Sequence, residues 1–160
     1  ATEAGHLHIP NLSQNISRIL DHFEKEKERK ATFEDLLSGK GISYIYAIYS
    51  KNIDHSYSNE EILNNTLNDK FCNETKNCLV EIFAYFAQYG ALITGSTGGV
   101  YLSGSLSESL INENDFSKFK SIFEESTKMN KYLSSIPIFL IRNIDLGFMG
   151  ALEVCKNEFL

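Results

Sequence analysis

Three stretches of this chain concentrate residues that could do chemistry. The first is "EAGHLHIP", Glu3 to Pro10, which sets one carboxylate and two imidazoles, His6 and His8, around a glycine. A carboxylate accepts hydrogen bonds from hydroxyls, and an imidazole donates or accepts, so Glu3 and His6 suit a neutral polyol. With His8 they could instead ligate a metal. Neighbouring residues of an extended chain point to opposite faces, however, and no third ligand lies at a convincing spacing. Both histidines could equally be half-exposed strand residues. The second stretch is "TFEDLLSGKG", in which Glu34 is a first-turn helix carboxylate, welcome near the positive end of the helix dipole.

The third stretch is "TGSTGGVYLSGS", Thr94 to Ser105, with glycines on both sides of a short apolar run. Glycine lets the backbone come close to a ligand, and N–H groups exposed there can cradle phosphate or ribose. The pattern is neither a P-loop nor a dinucleotide fingerprint. The alternative is structural: the glycines end a long helix and shape a turn into a strand.

These segments need elements to hold them. "GHLHIP" alternates and stops at Pro10, which predicts a short strand with Leu7 and Ile9 on one side. Leu12, Ile16, Ile19, Leu20 and Phe23 recur at helical spacing, so a helix is expected from about residue 12 to 27. Thr32 with Asp35 reads as a helix start that "SGKG" breaks after Leu37. Ile42, Ile45, Tyr46 and Tyr49 form another helical stripe. "SNEE", Ser58 to Glu61, is a capping box ahead of Ile62, Leu63, Thr66 and Leu67.

The longest helix is expected from about Thr75 to Ile93, with Leu79, Ile82, Phe83, Phe86 and Ile93 on one face. "VYLS" is a short strand between glycines. Phe116, Phe119, Ile122 and Phe123 mark a further helix. "IPIFLI" reads as a buried strand, and "LGFMGALEVCKNEF" as a closing helix. The class is α/β with few strands and many helices. Three strands are thin cover for so many amphipathic helices, so further strands are expected ahead of Ala1.

The bulk properties narrow the partners. The 160 residues suit one domain with a genuine core. A net charge of −6 argues against nucleic acid and anionic membranes as partners. "EKEKERK", Glu24 to Lys30, alternates in sign and reads as a solvated helix end. Cys72, Cys78 and Cys155 read as free thiols in a reducing compartment, with no zinc site. No apolar stretch is long enough to span a bilayer. The Asn-x-Ser/Thr matches at Asn11, Asn15, Asn64 and Asn73 arise easily in a chain rich in Asn.

Taken in order, the three segments resemble the bacterial glucokinase family of the hexokinase/actin-like superfamily. The family's Glu-Gly-Gly-His motif stands here as "EAGH", and its acidic residue before Leu-Ser-Gly-x-Gly as Glu34 in "EDLLSGKG". Its Gly-Gly-strand-Gly adenosine motif stands as "GGVYLSGS", and its closing strand, turn and helix as "IPIFLIRNIDLGFMGALE". The resemblance covers essentially the whole chain. It implies a partial ribonuclease H-like, actin-like ATPase fold. It also implies that Glu3, His6 and Glu34 hold glucose hydroxyls, and that Thr97, Gly98, Gly99 and Gly104 line the adenosine side of a Mg-ATP site. His8 gains no role from it. Two positions depart from the family pattern: Ala4 replaces a motif glycine, and Ser105 replaces the second glycine after the adenosine strand.

The implied activity is phosphorylation of glucose to glucose 6-phosphate by ATP, in glycolysis and in the cytoplasm. In the family the catalytic Asp and the phosphate loops lie on segments with no counterpart in these residues. The expectation is therefore a C-terminal, large-domain fragment of a two-domain sugar kinase, inactive alone, with sugar and nucleotide as its small-molecule partners. A sheet cut in this way leaves apolar faces and a strand edge uncovered, so a homo-oligomer is expected. The alternative is a non-catalytic sugar- or nucleotide-binding sensor or interaction domain of the same fold.

Overall fold

The computed structural model describes residues 3–51, 57–143 and 145–159. The strands expected ahead of Ala1 fall outside the described residues. The described elements run as a single 3-10 turn, Ala4–His6, then α1 (Gln14–Lys27), α2 (Phe33–Leu36), α3 (Gly39–Ser50) and α4 (Asn59–Asn64). α5 (Lys70–Thr94), β1 (Val100–Leu102), α6 (Ser105–Leu110), α7 (Glu113–Glu124), α8 (Asn130–Ser134), β2 (Ile138–Leu140) and α9 (Leu146–Phe159) follow.

Helix starts are set by side-chain caps, because the first N–H groups of a helix have no intrahelical acceptor. Ser13 accepts from the Ile16 amide at the start of α1. Thr32 and Asp35 form a capping box on α2, and Ser58 and Glu61 form one on α4, as expected from the sequence. "SGKG" does more than end α2. Ser38 accepts from the Gly41 amide and starts α3 at once. Gly41 permits this close crossing, since a Cβ there would overlap the Leu36 carbonyl.

α5 is the spine of the fold and packs chiefly against α7 and α3. It begins five residues before the expected start. Asp69 caps it by accepting from the Phe71 and Cys72 amides, and its first turns bury Cys72 and Thr75. Ile16, Ile19, Phe33, Leu36, Ile45, Leu79, Ile82, Phe119 and Phe123 meet in one core. Each such side chain contributes about 1.5–3 kcal/mol on burial. The expected stripe on α5 fails at its end: Ile93 is 70% exposed and Ala91 is buried in its place, because the helix outruns its packing partners there.

Two strand expectations need correction. "GHLHIP" is no strand. Glu3 and Ala4 carbonyls accept from the His6 and Leu7 amides and wind a 3-10 turn, leaving a lone antiparallel bridge between His8 and Thr32. Ile9 is buried but Leu7 is exposed, so they do not share an inner face. "IPIFLI" does form β2, in parallel register with β1, Tyr101 opposite Phe139. It is not a buried strand. Tyr101 and Phe139 stack at 4.9 Å and 17°, both exposed, because among the described residues no element covers that face of the pair.

Candidate functional site

The 3-10 turn brings the first expected residues together. His6 Nε2 lies 3.7 Å from Glu3 Oε2 and 3.4 Å from Glu34 Oε2. Both separations exceed a good hydrogen bond, so His6 lies near both carboxylates without closing on either, and of the two only Glu34 joins it in lining a groove. All three are exposed. Backbone pairing fixes the approach: the Leu7 carbonyl accepts from the Phe33 amide at 3.1 Å, and the Ala31 carbonyl accepts from the Ile9 amide at 3.0 Å. His8 supplies only the backbone bridge.

His6 and Glu34 line a groove of about 820 Å³ that extends past Ser38 and Lys40 to Tyr44. The neighbouring carboxylates Glu34 and Asp35 have separate tasks there. Asp35 receives both Arg29 nitrogens at 2.7 Å and also the Thr32 amide and hydroxyl. The guanidinium, followed by the Thr32 donors, holds its carboxyl well below the usual carboxylate range. Asp35 is thus a fixed structural anion, while Glu34 points its carboxylate into the groove. The Arg29–Asp35 pair was invisible to helical spacing because the two residues sit six apart, across a loop. Tyr44 closes the far wall with its hydroxyl 3.0 Å from His22 Nδ1, and burial pushes its phenol well above the ordinary range.

The glycine-rich stretch flanks β1. Gly95 ends α5 in a left-handed conformation, φ 63°. Gly99 has φ 134°, and a Cβ there would sit 2.9 Å from the Phe139 ring, so its lack of a side chain serves β1–β2 packing. Gly98 and Gly104 face open space, with nothing within 4 Å of a Cβ on either. Thr97, Gly98 and Gly104 are exposed. Gly95, Gly99 and Gly104, the last with φ 101° at the start of α6, thus shape the chain, while the backbone at Gly98 and Gly104 is open to solvent.

These glycines do not line the His6–Glu34 groove. A separate cavity of about 570 Å³ begins at Ser105, next to Gly104, and reaches Ser38 and Gly39. The Ser38–Gly39 turn therefore belongs to both hollows. The sequence marked it as a helix breaker and as part of the pattern that follows Glu34. Among the described residues no group of three or more His, Cys, Asp or Glu is arranged to hold a metal ion. No described helix is long and apolar enough to cross a membrane.

Helix-rich and, among the described residues, with one parallel strand pair, the chain has a partial α/β actin-like ATPase fold. Two solved glucokinases share it. One, from an Antarctic psychrotroph, superposes with a TM-score of 0.80 at 22% identity, over 99% of this chain and 50% of that one. The other, from Balamuthia mandrillaris in complex with glucose, gives a TM-score of 0.82 at 20% identity, over 97% and 46%. The chain belongs to the glucokinase family, whose model matches residues 1–158. Relatives include the glucokinases of Hahella chejuensis, 27% identical, and Neisseria gonorrhoeae, 28% identical, each matched over 99% of this chain. The chain spans about half the length of these relatives, 50% and 49%.

Proposed function

We propose that the protein carrying this chain phosphorylates glucose with ATP, and that these residues form its C-terminal, large-domain part. The observation that supports this most directly is that His6 lies 3.7 Å from Glu3 and 3.4 Å from Glu34, which brings together segments about thirty residues apart at the mouth of a groove lined by His6 and Glu34. Two carboxylates and an imidazole can accept from and donate to vicinal hydroxyls of a neutral sugar. Family membership supports the same reading, and the solved relative from Balamuthia mandrillaris holds glucose.

Thr97, Gly98 and Gly104 would border the nucleotide, with Gly99 acting through the strand it shapes. The openness around Gly98 and Gly104 fits a closely approaching ligand. ATP would supply the phosphoryl group, and Mg²⁺ would travel with its phosphates. No protein ligand set for the ion is assigned to this chain. What these residues contribute is positioning: the groove orients the sugar hydroxyls, and the fixed Asp35 keeps Thr32 and α2 in place beneath Glu34. The base that takes the sugar proton would come from outside these 160 residues. We place the protein in the cytoplasm, acting in glycolysis.

A coupled assay of glucose 6-phosphate formation on the full-length protein tests this. Turnover that collapses in Glu3→Gln and Glu34→Gln supports the kinase. Glucose binding without turnover by the full-length protein would point to the alternative, a sensor of the same fold.

A further inference from the structure

The segment from α8 to β2 grips the glycine turn after α5 at two points. Tyr132, on α8, reaches across 36 residues of sequence and donates its hydroxyl to the Ser96 carbonyl at 2.7 Å. The Ala91 carbonyl stands 3.4 Å from the same hydroxyl but already accepts from the Gly95 and Ser96 amides. The single O–H proton therefore serves Ser96 first. At the other end of the turn the Val100 amide donates to the Pro137 carbonyl at 2.9 Å. Between these two anchors lie Thr97, Gly98 and Gly99, of which Thr97 and Gly98 are exposed.

The anchoring segment is itself fixed. Leu133 and Ile136 are buried in the core, and the Ser135 hydroxyl donates to the Tyr132 carbonyl at 2.7 Å. Tyr132 is half-buried between them and the turn. The turn's own side-chain bonds, from Thr94 Oγ1 to the Gly90 carbonyl and to Ser96 Oγ, tie it only to the end of α5 that it leaves. Tyr132 ties Ser96 to the body of the fold instead. A glycine-rich turn has many conformations to give up when a ligand binds, and fixing it beforehand lowers that entropic cost.

We propose that Tyr132 is a positioning residue for the phosphoryl donor: its hydroxyl holds the Ser96 carbonyl and, with Pro137 at the other end, keeps Thr97 and Gly98 in the shape that receives the nucleotide. This rests on the nucleotide-dependent reading above. Tyr132 acts through the backbone and not by contact, because its proton is committed to Ser96. The effect is selective. Donor affinity depends on the brace, whereas the His6–Glu34 groove is lined by residues 6–44 alone and owes nothing to α8. Tyr132 lies outside the motifs that carry the family resemblance.

The test uses the full-length protein and two substitutions. Tyr132→Phe keeps the ring and removes only the hydroxyl. ADP, titrated calorimetrically, should bind it about three- to tenfold more weakly, the range for one lost hydrogen bond. KM for ATP should rise by the same factor, with KM for glucose and kcat unchanged. Ser135→Ala removes a hydroxyl from the end of the same helix without touching the turn, and should leave ADP affinity unchanged. ADP affinity that ignores Tyr132→Phe would overturn the proposal and leave the kinase reading standing. An equal loss in Ser135→Ala, or a matching rise in KM for glucose, would also overturn it, since either marks a general loosening of α8. A wild type that binds no ADP would sink the proposal and the nucleotide reading together. A wild type that binds ADP but leaves glucose unphosphorylated would sink the kinase reading, and the ADP comparison would still decide Tyr132.

Discussion

Arg29 and Asp35 meet fork to fork, Nη1 to Oδ2 and Nη2 to Oδ1, each at 2.7 Å. The same Asp35 Oδ2 accepts from the Thr32 amide and hydroxyl. One carboxylate thus ties the loop after α1 to the start of α2, directly beneath Glu34. Its carboxyl is held below its unfolded value of about 4. The sign follows from the depressed folded value: the stabilisation is present above pH ~4 and lost as pH falls through the folded value. Asp35→Asn should lower stability by about 1 kcal/mol at pH 7. The gap from wild type should narrow in urea melts below pH 4. Equal gaps at pH 7 and pH 3 would show that Asp35 stabilises by shape alone.

Glu34 should behave in the opposite way. Its side chain is exposed and anchors nothing, so Glu34→Gln should leave the melting temperature within experimental error. Glucose affinity of the full-length protein should fall by about ten- to a hundredfold, the loss expected for charge-assisted hydrogen bonds to the ligand. Calorimetric titration measures this. Unchanged affinity would remove Glu34 from the sugar site.

The two central glycines should separate in mutation. Gly99→Ala meets the Phe139 ring at 2.9 Å in a left-handed conformation and should cost about 1–3 kcal/mol. Gly98→Ala enters open space and should cost little stability, while weakening nucleotide binding if the ligand approaches there. Thermal melts and nucleotide titration of the two variants check the pair.

Lys76 and Asp115 link α5 to α7 through a largely buried ion pair of 2.9 Å. Asp115 also completes the Asn112 capping box. Asp115→Ala leaves an uncompensated ammonium and should destabilise by about 3–5 kcal/mol. Lys76→Met together with Asp115→Asn should recover much of that loss, since both charges leave together. A double variant no better than Asp115→Ala would mean that the cap, and not the charge, dominates.

Self-association is expected from the exposed apolar surface. α9 presents Phe148 at 84% exposure along with Met149, Leu152 and Val154, and the Tyr101–Phe139 stack faces solvent. Sedimentation of the 160-residue chain should show concentration-dependent oligomers that Phe148→Glu with Leu152→Glu disperses. A monomer at all concentrations would refute this.

Much of the helical framework was legible in order. The stripes Ile16–Phe23 and Phe116–Phe123 and the boxes Thr32–Asp35 and Ser58–Glu61 are local signals, and local hydrogen bonding set their ends. α6 and α8 went unread because each is a short helix of six or five residues with little periodicity to detect. The start of α5 was missed because its cap, Asp69, sits in a polar run whose burial comes from α3 and α4. "GHLHIP" misled because alternation alone does not make a strand: among the described residues only Thr32 offers a partner, and a 3-10 turn satisfies the Glu3 and Ala4 carbonyls first.

The sequence by itself determined which residue types are available to the proposed sugar and nucleotide sites, and most of the helices that carry them, because caps and periodicity act within a few residues. Only the tertiary structure decided that Glu34 and not Asp35 faces His6, that Gly99 is sterically required while Gly98 is open, and that one turn at Ser38–Gly39 walls two cavities. Those outcomes depend on contacts between segments far apart in the chain, such as Arg29 with Asp35 across a loop and Phe139 against Gly99, and no local pattern encodes them.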